Sequence, residues 1–294
     1  GMAINVLGPM IVFVDNKISA DRMFMTACIF GVLAISCYMG CYKLSTERIA
    51  IPEKEVEKGA FLRSVKSLLT NKPFLWVLAA SLLAMTNQFI VQAVNTYLFK
   101  DYFANAGALS IIGLVQTLAM FLVVPLVKPL VAKFGKKEIS VVGMTIASII
   151  YIVMFFLKFT TTTPFIVLAA LAYMAMCLYN IVTWAFITDV IDYHEYLTSM
   201  REDATVYSII SMSRKVGQAV AGGIGGVAIA AVGYDATVGT QSQDVLDGIY
   251  MLGTLVPGIF YAIIAVVLFI YPLSKQKTIQ LGKDLEARRN ANAK

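Results

Sequence analysis

Residues 164–188 read PFIVLAALAYMAMCLYNIVTWAFIT, twenty-five residues without a charge, and Asp189 ends the run. A helix rises about 1.5 Å per residue, so crossing the roughly 30 Å hydrocarbon core of a bilayer takes about 20 mostly apolar residues. This stretch is long enough. Six others of the same kind run approximately 23–42, 73–99, 106–127, 139–157, 204–233 and 248–272. Composition agrees with them. Of 294 residues, 59% are hydrophobic and 14% charged, with a mean hydropathy of +0.75. A soluble domain averages about 45–50% apolar and about 25% charged residues. With Gly 20, Pro 8 and Cys 4, the chain is neither a collagen-like repeat nor a disulfide scaffold, and its hydrophobicity excludes disorder. The expected fold class is all-α, a polytopic membrane helical bundle.

The charges give an orientation. If span 23–42 runs inward and sides alternate, the inner segments are 43–72, 128–138, 189–203 and the tail from 273. Eighteen of the 24 Lys and Arg then fall on inner segments and four on outer ones, while Arg214 and Lys215 lie inside a span. That bias follows the positive-inside rule. The net charge of +6 therefore belongs to one membrane face, and no nucleic-acid partner is needed to explain it.

Residues 43–72 form a charged, thirty-residue connection containing Pro52, in a chain whose other connections are short. Long connections inside compact units are unusual and often join domains. Within it, Phe61, Leu62, Val65, Leu68 and Leu69 recur at helical spacing, which predicts a short amphipathic helix at the membrane surface. The chain is thus expected to divide into the end of an N-terminal membrane domain (1–42), an inter-domain loop (43–72), a six-helix domain (73–272) and a cytoplasmic tail (273–294). Residues 2–14, MAINVLGPMIVFV, are too short to span and lack a basic leader and a cleavage site, so they read as the end of a helix whose beginning is missing. On that reading the sequence is a fragment.

Ionisable side chains at mid-membrane cost roughly 2.5–3.5 kcal/mol on insertion scales and mark function. Lys215 lies about 16 Å along its helix from Ala204, near the midplane. Helical spacing groups Ser208, Ser211, Lys215, Gln218 and Gly222 on one face, a polar stripe suited to an aqueous cavity. Arg214 falls on the flank, where a carboxylate of another domain could pair with it. The glycines 222, 223, 225 and 226 read as close helix packing. Two further stripes recur at helical spacing: Gln88, Gln92 and Asn95, then Tyr173, Asn180 and Trp184. Amides that both donate and accept, with an aromatic face, suit a hydroxyl-rich ligand; interhelical hydrogen bonding is the competing reading.

At the inner end of 164–188 the chain continues DVIDYHEYLTSMRED. Asp189, Asp192 and Glu195 are spaced by threes, and Arg201 follows. This is a solvated acidic cluster or a gate whose carboxylates pair with basic groups of the other domain. No metal site is assigned, because His194 is the chain's one histidine. There is no nucleophile–base arrangement and no phosphate-binding glycine motif, so neither an enzyme nor an ATP-driven pump is expected.

Asp189-Val-Ile-Asp192-Tyr193-His194-Glu195, then Arg201, Tyr207-Ser208 and Lys215-Val216-Gly217-Gln218-Ala219, resembles the glycoside–pentoside–hexuronide:cation symporter family, the melibiose-carrier-like branch of the major facilitator superfamily. The basic turn Lys133-Phe-Gly-Lys-Lys137 is similar to a short loop of that superfamily. By helix order the resemblance covers the whole chain, which would begin within the fifth of twelve helices. The resemblance implies a major facilitator fold in a bacterial inner membrane, with the C-terminus cytoplasmic. It implies symport of a sugar or glycoside with Na+ or H+ by alternating access. The partners would be that small molecule, the coupling cation and membrane lipid.

The same resemblance implies that Lys215 reaches the sugar cavity with Ser211 one turn away. An aromatic position of the family falls at Asn180 here, with Trp184 one turn later as its substitute. Gln218, Tyr173, Gln88, Gln92 and Asn95 complete the expected substrate site, while Asp189, Asp192, Glu195 and Arg201 form the expected inner gate. No cofactor is expected, and the cation site would belong to the first four helices. A carrier of a non-sugar solute on the same fold, or a membrane protein that binds without transporting, are the alternatives.

Overall fold

The computed structural model describes residues 11–14, 17–18, 20–46 and 60–292. Among the described residues nine named helices follow one another: α1 (Ala20–Leu44), α2 (Ala60–Thr70), α3 (Lys72–Tyr97), α4 (Ala108–Phe134), α5 (Lys136–Leu157), α6 (Thr162–Thr198), α7 (Asp203–Ala231), α8 (Gln243–Ile270) and α9 (Lys275–Asn292). A π-helical turn, Leu98–Tyr102, extends α3. The described residues also include a helical pair, 11–12, followed by a two-residue antiparallel ladder, Phe13 opposite Ile18 and Val14 opposite Lys17. The helical run expected over 2–14 therefore stops by residue 12, and residues 1–10 lie outside the described part. So do residues 47–59 of the expected inter-domain loop.

Among the described residues six helices, α1, α3 to α6 and α8, are long and apolar enough to cross a membrane. The seventh expected span, α7, has the length at 29 residues but not the apolarity. Arg214, Lys215 and Gln218, together with its glycines, take it out of that class.

Local chemistry sets the helix ends. Asn71 caps α3 by accepting a hydrogen bond from the Phe74 amide at 3.1 Å, and Pro73 occupies the first turn, where a missing N–H costs nothing. The preceding α2 packs through Leu68, which is fully buried. Between α4 and α5 the chain turns on Gly135 at φ +106°, a conformation that side chains resist. The last carbonyls of α4, those of Ala132 and Lys133, accept from the Lys275 ammonium of α9.

Packing radiates from two helices. Helix α5 lies against α6 and α8, α3 against α7 and α8, and α4 against α6. The α5–α6 approach depends on Gly143, where a Cβ would collide with the Ala175 carbonyl. The α3–α7 crossing depends on Gly217, whose missing Cβ would lie 3.0 Å from the Leu82 carbonyl oxygen. Thr86 also donates to the Gly217 carbonyl there, at 3.5 Å. Small residues that bring backbones together are how membrane helices gain contact without a hydrophobic driving force.

Two apolar cores result. One joins α3, α5, α6 and α8 around Phe186, Ile187 and Tyr261. The other, near the α3–α4 connection, gathers Phe99, Phe165 and Tyr250. There the Tyr250 hydroxyl donates to the Met154 carbonyl at 2.7 Å and accepts from the Phe159 amide at 3.1 Å, so no buried polar atom of that side chain is orphaned. The outward faces of the long helices expose Phe121, Leu122, Phe156 and Phe269, which suits lipid rather than water.

Candidate functional site

A cavity of about 630 Å³ opens between α3, α4, α5, α6 and α8. Its volume lies within the roughly 300–1,000 Å³ typical of small-molecule sites. Gln88, Gln92 and Asn95 face it from α3, one helical stripe delivered intact. Tyr173 comes from α6, Gln116 from α4, Tyr151 from α5 and Tyr261 from α8. The two last rings lie 5.5 Å apart, and the Tyr261 hydroxyl donates to the Met176 sulfur. No hydrogen bond within the described residues occupies the side-chain amides of Gln88, Gln92, Asn95 or Gln116. Four amides are thus free to donate and accept, against a wall of tyrosine rings.

A second, smaller cavity of about 200 Å³ shares Gln88 with the first and continues along α3 to Ser81. Asn180, Thr183 and Trp184 line it from α6, and Arg214 from α7. The Arg214 guanidinium lies over the Trp184 indole, 5.4 Å from the ring centroid. Tyr207 stacks on the same indole at 6.2 Å. The stripe expected from Tyr173, Asn180 and Trp184 is therefore divided: Tyr173 serves the large cavity, and the other two the small one.

Lys215, Ser211 and Gln218 line neither cavity. Lys215 and Ser211 are exposed and Gln218 is half-buried, and the Lys215 ammonium donates to the Gln218 amide oxygen at 3.2 Å. The amine is open rather than sealed. Past it, the expected close packing of the glycines holds only for Gly225, which approaches Ala93. Among the described residues a Cβ at Gly222, Gly223 or Gly226 would meet nothing within 4 Å.

The four residues of the expected gate separate into two groups, and their partners lie within this chain. Asp189, only 5% exposed, takes the Lys136 ammonium at 2.6 Å. Arg201 bridges Asp192 and Glu195, each at 2.9 Å, and donates to Asp203 at 3.0 Å. Burial works against the Arg201 charge, but the hydrogen bonds to Glu195, Asp192 and Asp203 outweigh it and hold the guanidinium above its ordinary value. Arg289 of α9 grips Glu195 in a fork, at 3.1 and 2.6 Å, and that bond raises its own pKa. Arg288 adds a hydrogen bond to the Tyr196 carbonyl and lies 4.3 Å from its ring. Among the described residues no three His, Cys, Asp or Glu side chains converge as metal ligands would.

Periodicity places Arg214 on a flank of its helix, and Gln116, Tyr151 and Tyr261 follow no repeating pattern. Gln116 did leave a trace as a lone amide in an apolar span, a cost that a membrane helix carries for contact or ligand. Tyrosines in apolar runs leave none.

The family described as MFS/sugar transport protein matches residues 1–275. An uncharacterized symporter of Bacillus subtilis (strain 168), YjmB, is 29% identical over 281 residues, covering 95% of this chain and 60% of that protein. A glucuronide carrier protein homolog of Escherichia coli (strain K12) is 26% identical, covering 89% of this chain and 56% of that protein. An isoprimeverose transporter of Lactiplantibacillus pentosus is 26% identical, covering 92% and 56% respectively. The chain thus spans somewhat more than half the length of these relatives.

Proposed function

This chain belongs to the MFS/sugar transport protein family, a family of multi-pass membrane proteins, and we propose that it forms the substrate-gripping part of a cation-coupled sugar carrier. The observation that carries the reading is the set of unengaged amides, Gln88, Gln92, Asn95 and Gln116, around a cavity walled by Tyr151, Tyr173 and Tyr261. Gln88 and Gln92 are exposed toward the opening while Asn95 and Gln116 lie deeper, so these amides are placed to be completed by water or by a solute rich in hydroxyls. Tyrosine rings supply flat apolar area for the C–H face of a pyranose. The relatives named for a glucuronide and for isoprimeverose support a sugar or glycoside as that solute.

The transport cycle is alternating access, two bundles rocking around a midplane site. In it the exposed face of α7 with Ser211, Lys215 and Gln218 fronts the aqueous path. A cation near the midplane is tolerated where water reaches it and is expensive against lipid. The Asp189–Lys136 and Arg201–Glu195–Arg289 pairs brace the end of the bundle that closes toward the cytoplasm. Na+ or H+ drives accumulation, and the protein resides in the bacterial inner membrane with α9 on the cytoplasmic side.

Vesicles containing the whole protein, loaded with an imposed Na+ or H+ gradient, test this reading. Accumulation of a labelled sugar above its equilibrium level under one gradient, and its collapse when the gradient is dissipated, is the expected result. Equilibration without accumulation would remove the coupling, and no entry of any sugar would remove the carrier.

A further inference from the structure

Lys133, Lys137, Lys275 and Lys277 gather where the α4–α5 turn meets the end of α8 and the start of α9. The Lys137 ammonium donates to the Tyr271 carbonyl at 2.7 Å, and Lys277 reaches the Pro272 carbonyl at 3.5 Å. Lys275 donates to the carbonyls of Ala132 and Lys133 at 2.6 and 3.2 Å. Such bonds seat cations at the negative ends of α4 and α8, but a carbonyl brings no full charge to neutralise them. Neighbouring Lys136 has Asp189, whereas among the described residues none of the four lysines forms an ion pair, and neither does Glu138 in the first turn of α5. The cluster also borders the outward apolar surface. The Lys133 ammonium lies 5.1 Å from the Phe134 ring centroid and that of Lys137 5.8 Å from Phe269, and these rings are 50% and 69% exposed. Away from the cluster, α5 continues that surface with exposed Val142 and Ile146, and α8 with exposed Val266 and Ile263.

From this arrangement we infer that the lysine cluster is a docking site for the headgroup of an anionic phospholipid. The inference does not depend on which solute the protein carries, only on its helices standing in a bilayer. Charge decides the headgroup. Four clustered cations with one nearby carboxylate attract a phosphodiester that bears a net negative charge, and each ammonium has three donors, of which Lys137 spends one on its carbonyl. A zwitterionic headgroup would carry a cation of its own into the cluster and gain less. Depth decides that the partner is a lipid. Lysine stems lying along exposed aromatic rings, with the ammonium beyond them, are the arrangement of a membrane–water interface. The apolar strips of α5 and α8 then run where acyl chains would lie. A soluble acidic partner would meet the ammonium groups but would leave Phe134 and Phe269 uncovered.

Native mass spectrometry of the purified whole protein tests the site, with dioleoylphosphatidylglycerol and dioleoylphosphatidylcholine titrated as probes. The unmodified protein should retain the anionic lipid at least about tenfold more tightly at low ionic strength. That preference should shrink as ammonium acetate rises from about 0.05 M to about 0.5 M, since salt screens exposed charges. Lys133→Gln with Lys277→Gln spares the carbonyl bonds of Lys137 and Lys275. At about fivefold per lysine, this pair of changes should bring the ratio close to one. Lys100→Gln with Lys158→Gln removes the same charge at the opposite end of the bundle and should leave the ratio unchanged. A monodisperse size-exclusion profile serves as the folding control for both variants. Equal retention of the two lipids, a preference indifferent to salt, or a ratio unmoved by Lys133→Gln with Lys277→Gln would overturn the site. So would an equal loss in the opposite-end variant.

Discussion

The Lys136 ammonium meets the Asp189 carboxylate at 2.6 Å and ties the turn between α4 and α5 to the far part of α6. Asp189 is buried, while about a quarter of the Lys136 side chain remains accessible. Removing the lysine alone leaves a buried carboxylate unpaired. Lys136→Met should therefore destabilise the bundle by about 2–3 kcal/mol, below the full cost of a completely buried pair because Lys136 is partly exposed. Replacing both residues by apolar ones, Lys136→Met with Asp189→Leu, should recover most of the loss. Thermal unfolding in detergent measures both, and a single variant as stable as the unmodified protein would deny the pair any bracing role.

The fork from Arg289 to Glu195 predicts a local rather than a global effect. Exposed ion pairs contribute little to overall stability, so Arg289→Ala should barely move Tm. It should instead speed amide exchange across residues 275–292, since α9 loses one of the contacts holding it to α6. Glu195→Gln, which weakens both Arg201 and Arg289, should have the larger effect. Exchange rates in α9 unaltered by either change would mean that this helix is held by other contacts, such as Lys275 on the end of α4.

Two glycine substitutions should separate packing from open surface. Gly143→Ala forces a methyl against the Ala175 carbonyl and should destabilise by about 1–3 kcal/mol. Gly222→Ala meets no neighbour and gains helix propensity, so it should be neutral or stabilising by up to about 1 kcal/mol. Equal effects at the two positions in a thermal-stability assay would contradict the packing of α5 on α6.

How much of this was legible beforehand follows from what periodicity can see. The unbroken run 164–188 fixes a span because length and apolarity alone decide it. The amphipathic spacing after Gly59 likewise emerges as α2, with Leu68 buried; the side chains of Phe61 and Leu62 lie outside the described residues. Residues 88, 92 and 95 share a helical face, and the structure turns that face into a cavity. Lys215 and Arg214 show the limit. Spacing says which side chains share a face but not which way the helix is rotated in the bundle, and the contact at Gly217 sets that rotation for α7. It turns Arg214 toward Trp184 and Asn180 and leaves Lys215 outward. The glycines beyond it could not be read as surface from sequence, because the same residues suit packing and openness alike.

Lys215 remains a point of test in its own right. On the carrier reading its amine fronts the aqueous path, so Lys215→Ala should abolish sugar uptake by cells expressing the whole protein while surface labelling shows normal insertion. Uptake at the unmodified rate would exclude Lys215 from the path and leave the amide-lined cavity as the site without it.

On the carrier reading, the amides of the large cavity are unengaged because a sugar completes them. Equilibrium binding of a labelled sugar to the purified whole protein and to its Gln92→Leu, Asn95→Leu variant measures that most directly. Loss of two hydrogen-bonding side chains should weaken binding by about tenfold or more, with the variant still folded. Identical affinity in the two proteins would mean that the solute never touches this cavity.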